Sequence, residues 1–361
     1  MARPKKIDIH AARLWATENV AAHGRGFTTA LAAHLNVSRA AAAAVVRRLE
    51  AEGFVTRSAA GTRPVFQPGP SRFVVKRYAL PGLDESLIWA RDFQPYLAVA
   101  DNVANIVHYG FTEMVNNAND HSQGRSLLIQ LSATPQTVFL WVVDDGVGIF
   151  KKIAAALQLS DLRLSLLELS KGKFTTDPQR HSGEGIFFTS RVFDSFALTA
   201  NELTYTHFYS AADAGNPSPS APSGASAVER LDDAKPQQAG QGTTVYMAIS
   251  VTSAHQLREV FDLYTTGKPD DLSFDKTTIP VRLARIGNQN LLSRSQAKRL
   301  VSRIDRFKVV ELDFSGVAEI GQAFADELFR VFASANPDVR LVPTQANQQV
   351  MRMITRVRNA P

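Results

Sequence analysis

A stretch poor in apolar side chains, residues 211–240, interrupts the second half of this 361-residue chain. Its centre, Asn216-Pro217-Ser218-Pro219-Ser220-Ala221-Pro222-Ser223-Gly224, has too little apolar surface to build a core. Because a strand-like run, Thr243–Val251, follows, the stretch is predicted to be a flexible insertion inside a domain that resumes after it. At about 150 residues per domain, the chain should hold two or three domains.

Composition excludes several classes of protein. The chain has no cysteine, which rules out a disulfide framework, a cysteine nucleophile and a thiolate metal site. No apolar run approaches the roughly 20 residues that span a bilayer. The N-terminal residues 1–6 lead into an amphipathic stretch rather than the apolar core of a signal peptide. We therefore expect a cytoplasmic protein that does not contact a membrane.

The excess positive charge is confined to the first segment. Residues 1–70 carry ten Lys and Arg against four Asp and Glu, whereas the rest of the chain balances at 30 of each. Such asymmetry favours contact with a polyanion, most often nucleic acid, over an evenly solvated surface.

The order of patterns in this basic segment resembles a winged helix. A first helix is predicted over 7–22 and a short one over 27–35, and Ser38 is placed to cap a third helix that ends at Gly53. Two strand-like runs then flank Ala59-Ala60-Gly61, which predicts a β-hairpin. A helix, a helix-turn-helix and a hairpin follow one another in a winged helix in this order.

Such a domain would present one helix to the major groove of DNA and its wing to the backbone. Winged helices also serve as protein-docking or dimerisation modules, so the alternative stays open. The run Ala40–Ala44 has no polar side chain that could hydrogen-bond to base edges, as a helix that recognises a DNA sequence would need. This favours phosphate contacts over sequence-specific contacts. The candidate DNA contacts are Ser38, Arg39, Arg47, Arg48, Arg57 and Arg63.

Polar residues in the middle of the chain fall where a ligand site is expected. Glu113 and Asn117 are four residues apart near the end of a long helical run, so they share one helix face. A strongly apolar strand, Thr137–Val143, leads directly into Asp144, and glycines follow. A carboxylate at a strand end beside glycines suits a ligand that lies against backbone.

A second glycine pair, Gly183 and Gly185, stands at the mouth of a predicted helix, where free N–H groups can hold a phosphate. In this order the motifs resemble the Bergerat-fold (GHKL) ATPases, which include gyrase, heat-shock chaperone, histidine kinase and MutL relatives. The resemblance covers roughly residues 95–250. Its motifs are the N box Glu113-x-x-x-Asn117, the glycine boxes Asp144-x-Gly146-x-Gly148 and Gly183-x-Gly185, and Gly242-Thr243-Thr244-Val245 on the last strand.

The resemblance implies a role for each of these residues. Asn117 would coordinate Mg²⁺ that bridges the phosphates of ATP, and Asp144 would accept a hydrogen bond from the adenine amino group. Gly146 and Gly148 would let the base and sugar approach. Glu113 would be the general base that activates water, since a carboxylate beside Mg²⁺-bound phosphate can deprotonate it.

The remaining roles concern the last strand and the lid. Thr243 or Thr244 would support the adenine through water, and Gly183 and Gly185 would face the phosphates. The segment between the glycine boxes would form a lid in which Lys173 neutralises the γ-phosphate, although its cations could equally be solvated charges. The polar lid residues are Lys171, Lys173, Thr175, Thr176 and Arg180.

The last segment alternates strand-like runs, at Ile279–Arg285, Val309–Phe314 and Val339–Val342, with helical patterns. It resembles a STAS-like domain, the fold of anti-anti-sigma factors, over about 275–361. In those proteins a serine that begins a helix accepts phosphate from a Bergerat-fold kinase. Here Gly321-Gln322-Ala323 occupies that place without a hydroxyl, so docking of this unit against the ATPase core is predicted instead.

The predicted fold is therefore multidomain α+β. It comprises a winged helix over 1–70, a Bergerat α/β sandwich over 72–251 with a mixed sheet and helices on one face, and a small α/β STAS-like domain over 273–361.

The predicted function is a DNA-binding regulator in which Mg-ATP controls domain arrangement and is hydrolysed to ADP and phosphate. The STAS-like unit is the expected contact for a regulatory protein, and a homodimer is expected by analogy with relatives that dimerise on ATP. Two alternatives stay open: an anti-sigma-type serine/threonine kinase acting on a partner, and a nucleotide-gated module without turnover. A histidine kinase is disfavoured because residues 72–95 hold no histidine.

Overall fold

A computed structural model describes residues 7–58, 64–174, 183–208, 242–267, 273–285 and 290–359. The predicted insertion, the hairpin tip with Arg63, and the lid residues Thr175, Thr176 and Arg180 lie outside these ranges. The described elements form three groups around three hydrophobic clusters, which confirms a multidomain α+β architecture.

The first group is a winged helix. Asp8 caps its first helix through the backbone N–H groups of His10 and Ala11, and Ser38 caps the third through Ala41 N at 3.2 Å, as predicted. The two strands pair antiparallel, and Phe27, Leu31 and Leu49 are fully buried in the core. The elements are α1 (Ile9–His23), α2 (Phe27–Leu35), α3 (Arg39–Ala51), β1 (Val55–Ser58) and β2 (Val65–Pro68).

The second group is built on a six-stranded sheet within the described residues, in the order β3-β4-β5-β8-β6-β7. All five of its pairings are antiparallel, so the expectation of a mixed sheet was wrong for the neighbouring strands. Strands β5 and β6 run parallel to each other, but they are not neighbours, because β8 lies between them and pairs antiparallel with both. The strands are β3 (Arg72–Ala79), β4 (Ser126–Ala133), β5 (Thr137–Asp144), β6 (Ser195–Ala200), β7 (Leu203–Phe208) and β8 (Thr243–Ser250).

Helices cover one face of this sheet. Alternate residues of the central strands, such as Val138, Leu140 and Val142, share a core with apolar residues of α5. The opposite face carries the stacked and tilted rings of Phe139, Trp141 and Tyr246. The helices are α4 (Glu85–Asp92), α5 (Asp101–His121), α6 (Ile149–Ala156), α7 (Leu164–Lys171), α8 (Gly185–Val192) and α9 (Leu257–Asp262).

The third group is a three-stranded parallel sheet, in the order β11-β10-β9, with helices between its strands. The strand expected over 279–285 ends earlier, at Pro280, where the chain turns into a 3₁₀ helix at Val281–Ala284. A π-helical segment, Glu327–Phe332, continues α11. The elements are β9 (Lys276–Pro280), α10 (Arg294–Val301), β10 (Val309–Asp313), α11 (Gln322–Asp326), α12 (Ala333–Ala335), β11 (Arg340–Thr344) and α13 (Gln348–Arg358).

Both flanking groups pack on the central one. Helix α1 lies along the edge strand β3, where Thr17 Oγ1 accepts a hydrogen bond from Phe73 N at 3.1 Å and Glu18 pairs with Lys76 at 2.7 Å. On the other side, apolar residues of α7 and α8, among them Leu167, share a core with β9 and β10. The predicted docking of the STAS-like unit against the middle domain agrees with this shared core.

Candidate functional site

A cavity of about 90 Å³ lies between the end of α5, the loop after β5 and the start of β8. Its walls are largely apolar, with side chains from the sheet, α5 and α6. Residues from six separate stretches of the described chain meet there, among them most of the motifs singled out in the sequence. The polar side chains on its wall are Asn117, His121, Ser122, Asp144, Lys152 and Thr243.

Asp144 ends β5 with its carboxylate buried in this pocket. Its Oδ1 accepts hydrogen bonds from Gly146 N at 2.8 Å and from Thr243 N at 3.2 Å. Burial raises the pKa of Asp144, while these N–H donors act in the opposite direction. The side chain is therefore a hydrogen-bond acceptor fixed by backbone at the end of an apolar cavity.

Of the two threonines that begin β8, only Thr243 lines the pocket. Its Oγ1 accepts a hydrogen bond from Ile149 N at 3.2 Å, which ties β8 to the start of α6. Thr244 occupies the next position of the strand, and its side chain points to the opposite face of the sheet. Because side chains alternate between the two faces of the strand, only one of the two threonines can face a ligand, a choice that the sequence motif did not make.

Of the four glycines in the two glycine boxes, two line the pocket and two do not. Gly148 and Gly183 line the pocket, whereas Gly146 and Gly185 allow close packing elsewhere. A Cβ on Gly146 would lie 2.0 Å from the Ser122 carbonyl oxygen, and a Cβ on Gly185 would lie 1.9 Å from Glu113 Oε2. These two glycines hold the loops against α5 rather than making room for a ligand.

The two N-box residues also separate. Asn117 faces the pocket, but Glu113, one turn earlier on α5, is not on its wall. The Glu113 carboxylate lies against Gly185 at the N-terminus of α8, where the helix dipole favours a negative charge. Its position beside the second glycine box is compatible with the expected role as a base, and it also supports the start of α8.

The lid lysines point away from the pocket. Lys173, expected to meet the γ-phosphate, donates to the Arg306 carbonyl at 3.3 Å and lies over the rings of Phe274 and Phe307 at 5.3 and 4.8 Å. Lys171 is buried and enters the STAS-like unit as well. Both cations are therefore part of the contact between the middle and C-terminal groups, because aromatic rings and carbonyls lie there.

Two residues that sequence reasoning missed complete the site. Asn201, in the left-handed turn between β6 and β7, accepts from Lys151 N at 3.1 Å and donates to the Val147 carbonyl at 3.0 Å. It fixes the loop after β5, which lies about 50 residues earlier in the chain, and no local sequence motif predicts this contact. Lys152 lies on the pocket wall one turn into α6. It is four residues after Gly148, and this spacing was the sequence feature that could have indicated its place beside the glycine box.

The candidate DNA contacts fall into two sets. Arg39 and Arg47 are exposed on α3, and the described residues give them no acidic partner. Arg48 pairs with Glu52 at 2.8 Å, and Arg57 pairs with Glu50 at 3.3 Å over the ring of Phe66. Ser38 is exposed and its Oγ caps α3, while Arg63 lies outside the described residues.

Parts of both ends of the chain are similar to known families. Residues 19–60 match the MarR family, so the N-terminal unit is similar to a MarR-type winged helix, which suggests a DNA-binding regulator. Residues 296–351 match a STAS-like domain of unknown function (DUF4325), so the C-terminal unit is similar to that domain. No curated protein and no solved structure gave a significant match. Within the described residues no single helix is long and apolar enough to cross a membrane; α2 and α3, a bent pair, meet those criteria only together.

Proposed function

We propose that the protein is a DNA-binding regulator whose middle domain binds Mg-ATP, with nucleotide occupancy controlling the arrangement of the flanking units. The observation that carries the proposal is the pocket itself. Asn117, Asp144, Gly148, Gly183 and Thr243 were selected from spaced sequence motifs, and all of them line one cavity. Packing alone does not require such a convergence.

The chemistry of the pocket suits an adenine nucleotide. A flat aromatic base would lie between apolar walls such as Met114, Ile149 and Leu198, and Asp144 would offer a fixed acceptor for its exocyclic amino group. Among the described residues no group of three or more His, Asp or Glu could hold a metal ion. Mg²⁺ would then arrive with the phosphates, with the Asn117 side-chain oxygen as its protein ligand.

DNA would contact the exposed face of α3. Arg39 begins this helix and Arg47 follows about two turns later; both are available to phosphates, whereas Arg48 and Arg57 would first have to leave their carboxylate partners. The alanines between them offer only methyl groups to base edges. This arrangement favours binding dominated by the DNA backbone, with a strong dependence on salt concentration.

The packing of the three units supplies a route for control. The winged helix is fixed to β3 through α1, and the STAS-like unit is fixed to α7. A nucleotide in the pocket would have to alter one or both of these contacts. Such control requires ATP to bind the two arrangements with different affinity.

The proposal is tested by measuring ATP binding and phosphate release on the purified chain, with Asp144→Asn and Glu113→Ala in parallel. We expect Asp144→Asn to abolish binding and Glu113→Ala to retain binding but lose release. DNA affinity is then compared with and without ATP, using a filter or anisotropy assay. Absence of ATP binding by the unaltered chain would refute the nucleotide part, and an unchanged DNA affinity would refute the coupling.

The same samples address the kinase alternative. The start of α11 carries Gln322 and Ala323 and offers no hydroxyl, which disfavours transfer to the STAS-like unit of the same chain. Label from γ-labelled ATP would appear on a separate protein if the chain is a kinase and as free phosphate if it is an ATPase. Binding without either product would indicate a nucleotide-gated module.

A further inference from the structure

Lys152 is a cation on the wall of a pocket whose other charged wall group, in the described residues, is Asp144, apart from the ionisable His121. Its Nζ donates to the His121 backbone carbonyl at 2.5 Å, and the described residues provide no other hydrogen-bond partner and no carboxylate. An ammonium has three donors, so two remain for a ligand. Partial burial lowers the pKa of Lys152, as expected for a cation without a counter-charge.

The other groups that could hold phosphate are already engaged. At the start of α6, Ile149 N donates to Thr243 Oγ1 and Lys151 N donates to Asn201 Oδ1. At the start of α8, the Glu113 carboxylate lies against Gly185 and already provides the negative charge that this helix N-terminus favours. Lys173 is directed into the STAS-like unit. Lys152 is therefore the cation that the described pocket offers to an anionic ligand.

We propose that Lys152 binds the phosphate chain of the nucleotide and makes the pocket selective for adenine nucleotides over adenosine. The inference rests on the proposed function, because it takes the base to be held at Asp144. The two side chains divide recognition: Asp144 accepts from the base, and Lys152 pairs with phosphate oxygen by charge-assisted hydrogen bonds. Phosphate thus replaces the counter-charge that the protein does not supply.

The test is calorimetric titration of the full chain with ATP, ADP, AMP and adenosine, the last at millimolar concentration. Lys152→Met keeps the length and apolar stem of the side chain, and Lys151→Met, at an exposed neighbouring position, is the matched control. We expect Lys152→Met to lose at least about tenfold in affinity for the three nucleotides and to leave adenosine unchanged. Lys152→Arg should restore most of the loss, and Lys151→Met should behave as the unaltered chain.

Two results would overturn the inference while leaving the proposed function intact. An equal loss for adenosine and ATP would mean that Lys152 supports the pocket or the base, and no loss for any ligand would mean that it contacts none. Asp144→Asn should weaken all four ligands, which separates base recognition from phosphate recognition. If the unaltered chain binds neither adenosine nor nucleotides, the proposed function fails and this inference fails with it.

Discussion

Replacement of Lys171 by methionine should destabilise the contact between the middle domain and the STAS-like unit severely. The side chain is 2% exposed, and its ammonium donates to Glu168 Oε1 at 2.6 Å and to the carbonyls of Arg299 and Ser302 at 2.8 and 2.9 Å. Methionine keeps the apolar stem but leaves a buried carboxylate without this partner, with Arg303 remaining at 3.9 Å. Removal of one member of a buried ion pair costs about 3–5 kcal/mol.

For a domain of this size, such a loss lowers the melting temperature by roughly 6–20 °C. Differential scanning calorimetry of the full chain measures it, with exposed Lys151→Met as a control that should leave the transition in place. The double variant Lys171→Met, Glu168→Leu removes both charges and should recover most of the loss, since an apolar pair of similar volume often replaces an ion pair without cost. A single variant that melts within about 2 °C of the unaltered chain, or a double variant below the single one, would refute the reasoning.

Three further predictions concern the site and the DNA-binding surface. Burial raises the pKa of Asp144 above its ordinary value of 3.8, so the contribution of this side chain to stability is present below pH 3.8 and is lost as pH rises through the raised pKa. Without nucleotide, Asp144→Asn should therefore melt at a higher temperature than the unaltered chain at pH 7. Melting curves at successively lower pH should show this difference in melting temperature shrinking. In Asn201→Gly, glycine can adopt the same left-handed backbone, but both hydrogen bonds to the loop after β5 are lost. The free energy of unfolding should fall by about 1–3 kcal/mol, and the affinity for ATP should also fall. An unchanged melting temperature and an unchanged ATP affinity would contradict the role of this side chain. Arg47→Ala should reduce the slope of log DNA affinity against log salt by about 1 and Arg48→Ala by less, because Glu52 already engages Arg48; equal slopes from salt titrations would argue against this difference.

Local patterns predicted what depends on neighbours in sequence. Asp144 follows an apolar strand and precedes glycine, so its place at a strand end was readable, and Ser38 before an alanine run was recognisable as a helix cap. The winged helix and the STAS-like unit were recognised for the same reason: each is a compact succession of elements with short connections.

What could not be read was which groups meet across long sequence distances. Lys173 was expected at phosphate because cations in a lid are often placed there, but the side chain lies over the rings of Phe274 and Phe307, which are more than a hundred residues further along the chain. Thr243 and Thr244 could be separated only once the register of β8 against β5 was known. Asn201 holds a loop more than 50 positions earlier through a turn whose sequence gives no sign of the contact.

The contact between α1 and β3 has a consequence for solubility. Strand β3 is at an edge of the sheet, and an uncovered edge offers unpaired N–H and C=O groups to the edge of another molecule. Thr17 occupies one of these N–H groups, at Phe73, and the paired charges of Glu18 and Lys76 follow along the strand. Helix α1 of the winged helix therefore also shields this edge of the sheet from strand-to-strand aggregation, and we expect a chain cut just before β3 to expose an edge that other molecules can pair with.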